Sequence, residues 1–264
     1  VLSQYTQVLF WNIPTFRLAV AVAILASISL AVRQHHPRGR VVDAYLGALL
    51  VGILGARLFH VALNWDYFAD NTSEIWQVEA GGLDWHGALL GGLIGIALVL
   101  WGQRLLRRWR PSPLKPLAFN TLLVSLIPAL PLIGFGGWVG CWAAGCGYGK
   151  EVDSLANYPR WATSELVDVF GIVAPRYNTP YFGMALCVLG FLLVLILWRW
   201  RNPRVFWLLL VVLAACMFAI GFFRADHTLM FYGLRGDQIL DVIVLFWGMI
   251  MTIRIPGQQG MTDE

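Results

Sequence analysis

Apolar runs of about 20 residues recur along this chain, each long enough to cross a ~30 Å hydrocarbon layer as a helix, and charged residues fall almost wholly between them. The short alternating segments of a membrane β-barrel are not evident. The sequence therefore predicts an all-α integral membrane protein with about seven transmembrane helices. The expected spans are Thr15–Val32, Val42–Leu63, His86–Gly102, Pro116–Phe135, Tyr181–Trp198, Val205–Phe223 and Ile239–Ile253. Of 264 residues, 58% are hydrophobic and 13% charged, about half the charge fraction of an ordinary soluble domain. The whole chain, 1–264, reads as one transmembrane domain.

Loop charge predicts orientation. Arg33, Arg38 and Arg40 follow the first span; Arg104, Arg107, Arg108, Arg110 and Lys115 follow the third. Arg199, Arg201 and Arg204 follow the fifth, and Arg254 the seventh. These loops share one side, which the positive-inside rule makes cytoplasmic. The opposite loops carry Asp66, Asp70, Glu74, Glu79, Asp84, Glu151, Asp153, Glu165, Asp168, Asp226 and Asp237. The N-terminus is thus expected outside and the C-terminus in the cytoplasm. Trp11, Trp65, Trp76, Trp85, Trp101, Trp109, Trp198 and Trp200 lie near span ends, as an interfacial belt requires. The net charge of +4 sits in short loops and does not suggest nucleic acid.

One connection, Gly134 to Pro180, is far longer than the rest and opens on the glycine-rich GFGGWVGCWAAGCGYGK. Irregular backbone survives at membrane depth only where protein or a water-filled cavity satisfies it. Residues 136–180 are read as an insertion, partly re-entrant, that leads to a small external subdomain. Two roles stay open for Gly136, Gly137, Gly140, Gly145 and Gly149, with Tyr148 among them. They let a lipid headgroup approach the backbone, or they let helices pack closely.

Polar residues inside spans are expensive and mark function or structural pairing. Arg57 lies deep in the second span, in GARLFHVALNWDYF. Arg17 is placed to snorkel to an interface. His86 opens the third span and is a candidate proton acceptor or a helix-end histidine bonded to a carbonyl. Arg224, in GFFRADH, is a phosphate clamp or an interfacial anchor. Asp237, Gln238 and Asp241 open the last span, where helix capping accounts for at least one acid. Cys141 and Cys146 are either bridged or free. Cys187 and Cys216 are small packing residues within spans. No cysteine spacing suggests a metal.

In this order, GARLFHVALNWDYF, GGLDWHGALLGG, GGWVGCWAAGCGYGK and FFRAD followed by DQIL resemble the blocks of the prolipoprotein diacylglyceryl transferase family. The resemblance covers most of the chain, from the first span to the last. It implies a bacterial inner-membrane enzyme that moves diacylglyceryl from phosphatidylglycerol to the thiol of a lipobox cysteine in a secreted preprotein, with loss of glycerol phosphate. It implies phosphatidylglycerol as ligand and no cofactor. It places His86 at the family's central histidine and Arg57 and Arg224 at retained arginines, with the glycines, Tyr148 and Gln238 as lipid-binding positions.

This sequence departs from the family where the chemistry needs charge. The arginine of the glycine loop falls on Trp138; its asparagines fall on Cys141 and Ala144, and its glutamate on Cys146. Cysteine at the first of these occurs elsewhere in the family. An arginine and a glutamate of the sixth span fall on Met217 and Gly221. The Gln-Leu-Tyr-Glu block falls on Pro180, Tyr181, Phe182 and Gly183. Losing one preorganised electrostatic contact costs about a hundredfold in rate or more. The expectation is a catalytically weakened or silent relative, a lipid-binding structural or assembly subunit of a larger membrane complex of respiratory or photosynthetic type. The alternative is an active transferase on Arg57, His86 and Arg224. A transporter is a third reading, but the internal repeats common in transporters are not apparent.

Overall fold

The computed structural model describes residues 4–8, 11–35, 37–78, 81–109, 117–168, 170–197 and 202–255. The expected interfacial and loop residues Glu79, Arg110, Lys115, Trp198, Arg199, Trp200 and Arg201, and Pro116 at a span start, lie outside them. The helices are α1 (Thr15–Gln34), α2 (Arg38–Leu63), the short α3 (Trp65–Phe68), α4 (Trp85–Trp109), α5 (Phe119–Leu126), α6 (Ala129–Ala144), α7 (Thr179–Ile196), α8 (Pro203–Gly221) and α9 (Gly236–Arg254). Six are long and apolar enough to cross a membrane, and α5 with α6 makes a seventh if that bent pair is one span. The chain is a multi-pass, mostly helical membrane protein, and the long helices coincide with the expected spans, although α4 runs on to Trp109, past the expected end at Gly102.

The fourth span is broken. Helices α5 and α6 meet at 46°, and Pro128 stands at the joint. Proline has no N–H for the helical ladder and crowds the preceding turn. The glycine-rich stretch beyond it is helical through Ala144, where a loop had been expected. Gly145 then ends α6 in the left-handed region, at φ 71°, with its N–H bonded to the Cys141 carbonyl. Cys141 and Cys146 are disulfide-bonded across that turn.

Lipid tails give helices little hydrophobic reason to associate, so close approach through small residues carries the packing. Helices α2 and α4 meet through Gly47, Gly52 and Gly55 on one side and Gly87, Gly91 and Gly95 on the other. A Cβ on Gly55 would overlap the Gly87 carbonyl, and one on Gly87 would overlap the Gly55 carbonyl. Backbone cannot yield as a side chain does, so Gly87→Ala should destabilise the protein by about 1–3 kcal/mol, read as a lower melting temperature in detergent. Gly136 and Gly140 play the same part between α6 and α1. A Cβ on Gly136 would lie 2.7 Å from the Ala23 Cβ, and one on Gly140 would lie 2.6 Å from the Phe16 ring.

Apolar residues from α4, α5, α8 and α9, among them Leu93, Leu123, Phe206, Leu210 and Val244, form one buried cluster. Ala31, Val41, Tyr45, Ile96 and Leu122 form a second.

Three antiparallel hairpins lead almost directly into helices. They are β1–β2 (Tyr5–Val8, Trp11–Pro14) into α1, β3–β4 (Thr163–Val167, Val173–Tyr177) into α7, and β5–β6 (Met230–Phe231, Leu234–Arg235) into α9. Helix alternation puts all three hairpins on one side with the 64–84 loop. Backbone bonds from Leu229 N–H to the Leu63 carbonyl and from Lys150 N–H to the Phe223 carbonyl tie these segments together. The site lies at this sheet side.

Candidate functional site

His86 stands in the first turn of α4 and is 2% exposed. Asp84 precedes the helix, and its Oδ1 accepts the N–H of His86 at 2.9 Å and of Gly87 at 3.2 Å, as a carboxylate at a helix start does. The same Oδ1 lies 3.1 Å from His86 Nδ1, while Asp241 Oδ1 of α9 lies 3.0 Å from His86 Nε2. Burial pushes the Asp84 carboxyl up, but the bonds from His86 outweigh it and hold the group below its usual value. Each ring nitrogen thus faces a carboxylate. Asp84, His86 and Asp241 form one hydrogen-bonded chain between α4 and α9.

One turn before Asp241, α9 opens on a second cluster. Arg224 Nε and a terminal nitrogen grip the two oxygens of Asp226, and its Nη1 lies 2.9 Å from Asp237 Oδ2. Arg235 Nε lies 3.0 Å from Asp237 Oδ1, and its Nη1 donates to the Asp226 carbonyl at 2.8 Å. Two guanidinium groups and two carboxylates therefore interlock. Burial pushes the Asp226 carboxyl up, but Arg224 and then Arg235 overcome it and hold it below its ordinary 3.8. A carboxylate with a depressed folded value adds stability above its unfolded value and loses it as pH falls through the folded one. Acid unfolding should therefore steepen below about pH 4. Asp226→Asn, followed by melting temperature against pH, should start less stable and fall less on acidification.

Arg57 is placed differently. Its three nitrogens donate to the carbonyls of Glu74, Ile75, Gly81 and Gly82, and its guanidinium lies 5.1 Å from the Phe68 ring centre. It fastens the 72–82 segment over the end of α2. Gln238 is 1% exposed. Its Oε1 accepts from the Arg235 N–H and its Nε2 donates to the Phe218 carbonyl. Gly149 bridges Arg224 through the backbone, and the neighbouring Tyr148 carbonyl accepts the Ala225 N–H. Gly137 has open space where a side chain would stand. The fold thus gathers His86, Arg224, Gln238, Tyr148 and Gly149. It assigns Arg57 to a loop, Gly136 and Gly140 to helix packing and Gly145 to a helix end.

Trp138 fills the remaining side. Its indole lies 6.0 Å from the Arg224 guanidinium and is seated on Gly183, where any Cβ would overlap the ring. Trp138, Cys187 and Ile220 form a buried apolar cluster with Phe182, Met184 and Met217 packed on it. Gly221 is covered by the Gln238 side chain, 2.6 Å from where its Cβ would be.

Comparison with known proteins agrees with these blocks. The sequence model of the family described as prolipoprotein diacylglyceryl transferase matches residues 5–254. The chain belongs to that family. It is 29% identical over 251 residues to the phosphatidylglycerol–prolipoprotein diacylglyceryl transferase of Streptococcus mutans, covering 90% of this chain and 89% of the relative. It is 26% identical over 260 residues to the enzyme of that name in Streptococcus pyogenes, covering 94% and 92%. Of the positions where the resemblance expects arginine or glutamate, Trp138 and Met217 share one apolar cluster with the indole seated on Gly183, while Gly221 lies under Gln238 and Cys146 is bonded to Cys141. Sequence reasoning missed Arg235, which brings a second cation to Arg224. Its signal was available in GLRGDQIL, as an arginine two residues before Asp237 of the closing block.

Proposed function

We propose that this member of the transferase family holds an anionic phospholipid of the phosphatidylglycerol class at its sheet side, transfers diacylglyceryl from it weakly or not at all, and serves as a lipid-binding subunit of a larger membrane assembly. The observation that carries this reading is Trp138 seated on Gly183 within the cluster of Cys187, Ile220 and Met217. A departing glycerol phosphate needs preorganised positive charge, and this apolar packing offers none. Arg224 and Arg235 remain, but Asp226 and Asp237 already neutralise them. The basic helix ends, Arg33, Arg107, Arg108 and Arg254, lie opposite the hairpins. That arrangement favours a bacterial inner membrane with the hairpins and N-terminus outside and the C-terminus in the cytoplasm.

A second reading, the active transferase, draws support from Arg224 and Arg235 lying side by side next to the His86 triad. In it the lipobox thiol loses its proton to the triad, sulfur bonds to the glyceryl carbon, and the carbon–oxygen bond to phosphate breaks. Native mass spectrometry of protein purified from phosphatidylglycerol nanodiscs tests the binding part of the proposal. Retention of the lipid by the wild type is expected. A wild type that carries no phospholipid would remove the proposal. Co-purification from native membranes with stoichiometric protein partners tests the assembly part.

A further inference from the structure

The turn joining β3 to β4 is apolar where a water-facing turn would be polar. Phe170, Ile172 and Val173 are 81%, 58% and 59% exposed. From Leu166 to Pro175 the only charged residue is Asp168, and it is buried against Arg176 at 3.2 Å. Arg176 is in turn 2.8 Å from Glu151 and lies over the Tyr148 ring.

Among the described residues of the turn, 168 and 170–172, every N–H also finds a partner within it. Asp168 Oδ1 accepts the N–H of Phe170 and of Ile172, each at 2.9 Å. Gly171 N–H donates to the Asp168 carbonyl, and Asp168 N–H to the Ile172 carbonyl, each at 3.1 Å. Water would supply such partners to an ordinary surface turn. A segment entering lipid must bring them itself, because unsatisfied amides there cost several kilocalories each.

The subdomain is also continuous with the spanning surface. Strand β4 ends at Tyr177, two residues before α7 begins at Thr179. Trp161, 71% exposed, meets the Phe182 ring of α7's first turns edge-on at 6.2 Å. A tryptophan so placed suits the headgroup level.

We infer that the β3–β4 turn is a membrane-dipping anchor. Phe170, Ile172 and Val173 enter the acyl boundary of the leaflet on the sheet side, with Trp161 at headgroup depth. The occupant of this surface is lipid, because the tip offers no accessible charge to a protein partner and carries its own backbone bonds. The anchor holds the 146–178 subdomain against the bilayer, and it operates whether or not the protein transfers diacylglyceryl.

The test places an environment-sensitive fluorophore on Ile172→Cys in a Cys187→Ala/Cys216→Ala background, reconstituted in phosphatidylglycerol/phosphatidylethanolamine vesicles. A label on Ser73→Cys, in the exposed 72–74 turn, serves as the water-facing control. Melting temperature establishes that each variant is folded, and Phe170→Cys repeats the measurement should Ile172→Cys be unstable. The expected result is blue-shifted emission at 172, quenched several-fold more by lipid carrying a shallow doxyl group than by aqueous iodide, with the reverse at 73. Iodide quenching at 172 equal to that at 73 would overturn the inference. Shielding from both quenchers in the presence of a co-purified protein would overturn it too, and would assign the tip to that partner.

Discussion

Trp138→Ala should destabilise the protein by about 3–5 kcal/mol, the range for removing a buried tryptophan. The indole is 8% exposed and touches residues of α7 and α8 as well as its own helix. Its removal empties a site that the backbone at Gly183 cannot fill. Gly183→Leu should destabilise from the opposite direction, by about 1–3 kcal/mol or more, since its Cβ alone overlaps the ring and overpacked cores cannot relax freely. The informative experiment is the cycle Trp138→Arg, Gly183→Glu and both together. Each single change buries a lone charge in the cluster. The double change restores a cation and a carboxylate at contact distance, so it should be less harmful than the sum, with a coupling of about 0.5–3 kcal/mol. Chemical or thermal unfolding in one detergent reads all four corners. Additive losses would mean that the two positions do not replace one another as a pair.

Arg235→Ala should cost about 3–5 kcal/mol, because removing one partner strands buried charge. Arg235 is 7% exposed and holds both oxygens of Asp237. Without it Asp226 and Asp237 face each other with Arg224 alone between them, and Asp241 stands one turn further along α9. The melting temperature should drop across the neutral pH range. Arg235→Ala/Asp237→Asn should recover part of the loss at neutral pH. An Arg235→Ala protein as stable as the wild type across that range would mean that the arginine faces solvent, contrary to the ion pairs described.

The spans were legible in the sequence because length and apolarity alone fix them. Pro128 explains why the fourth bends. The form of the glycine-rich stretch was less legible, since glycine favours loops in water but closes helix–helix contacts in lipid, and nothing local distinguishes the two. His86 shows both limits. Its bond to Asp84 follows from a carboxylate two residues upstream at a helix start, whereas Asp241 is 155 residues away and reaches it only through the packing of α4 and α9. Arg57 was marked by its depth, but its partners are carbonyls, which carry no sequence signature. Trp138 was visible as a departure from the family. What it packs against, a glycine at another departed position, was not.

The most direct measurement is the rate of thioether formation on a lipobox peptide in phosphatidylglycerol vesicles, run beside the Streptococcus mutans relative. Replacement of charge by the Trp138 cluster predicts a rate at least about a hundredfold lower for this chain while the phospholipid is still bound. A rate equal to the relative's, abolished by His86→Ala in a folded protein, would contradict it.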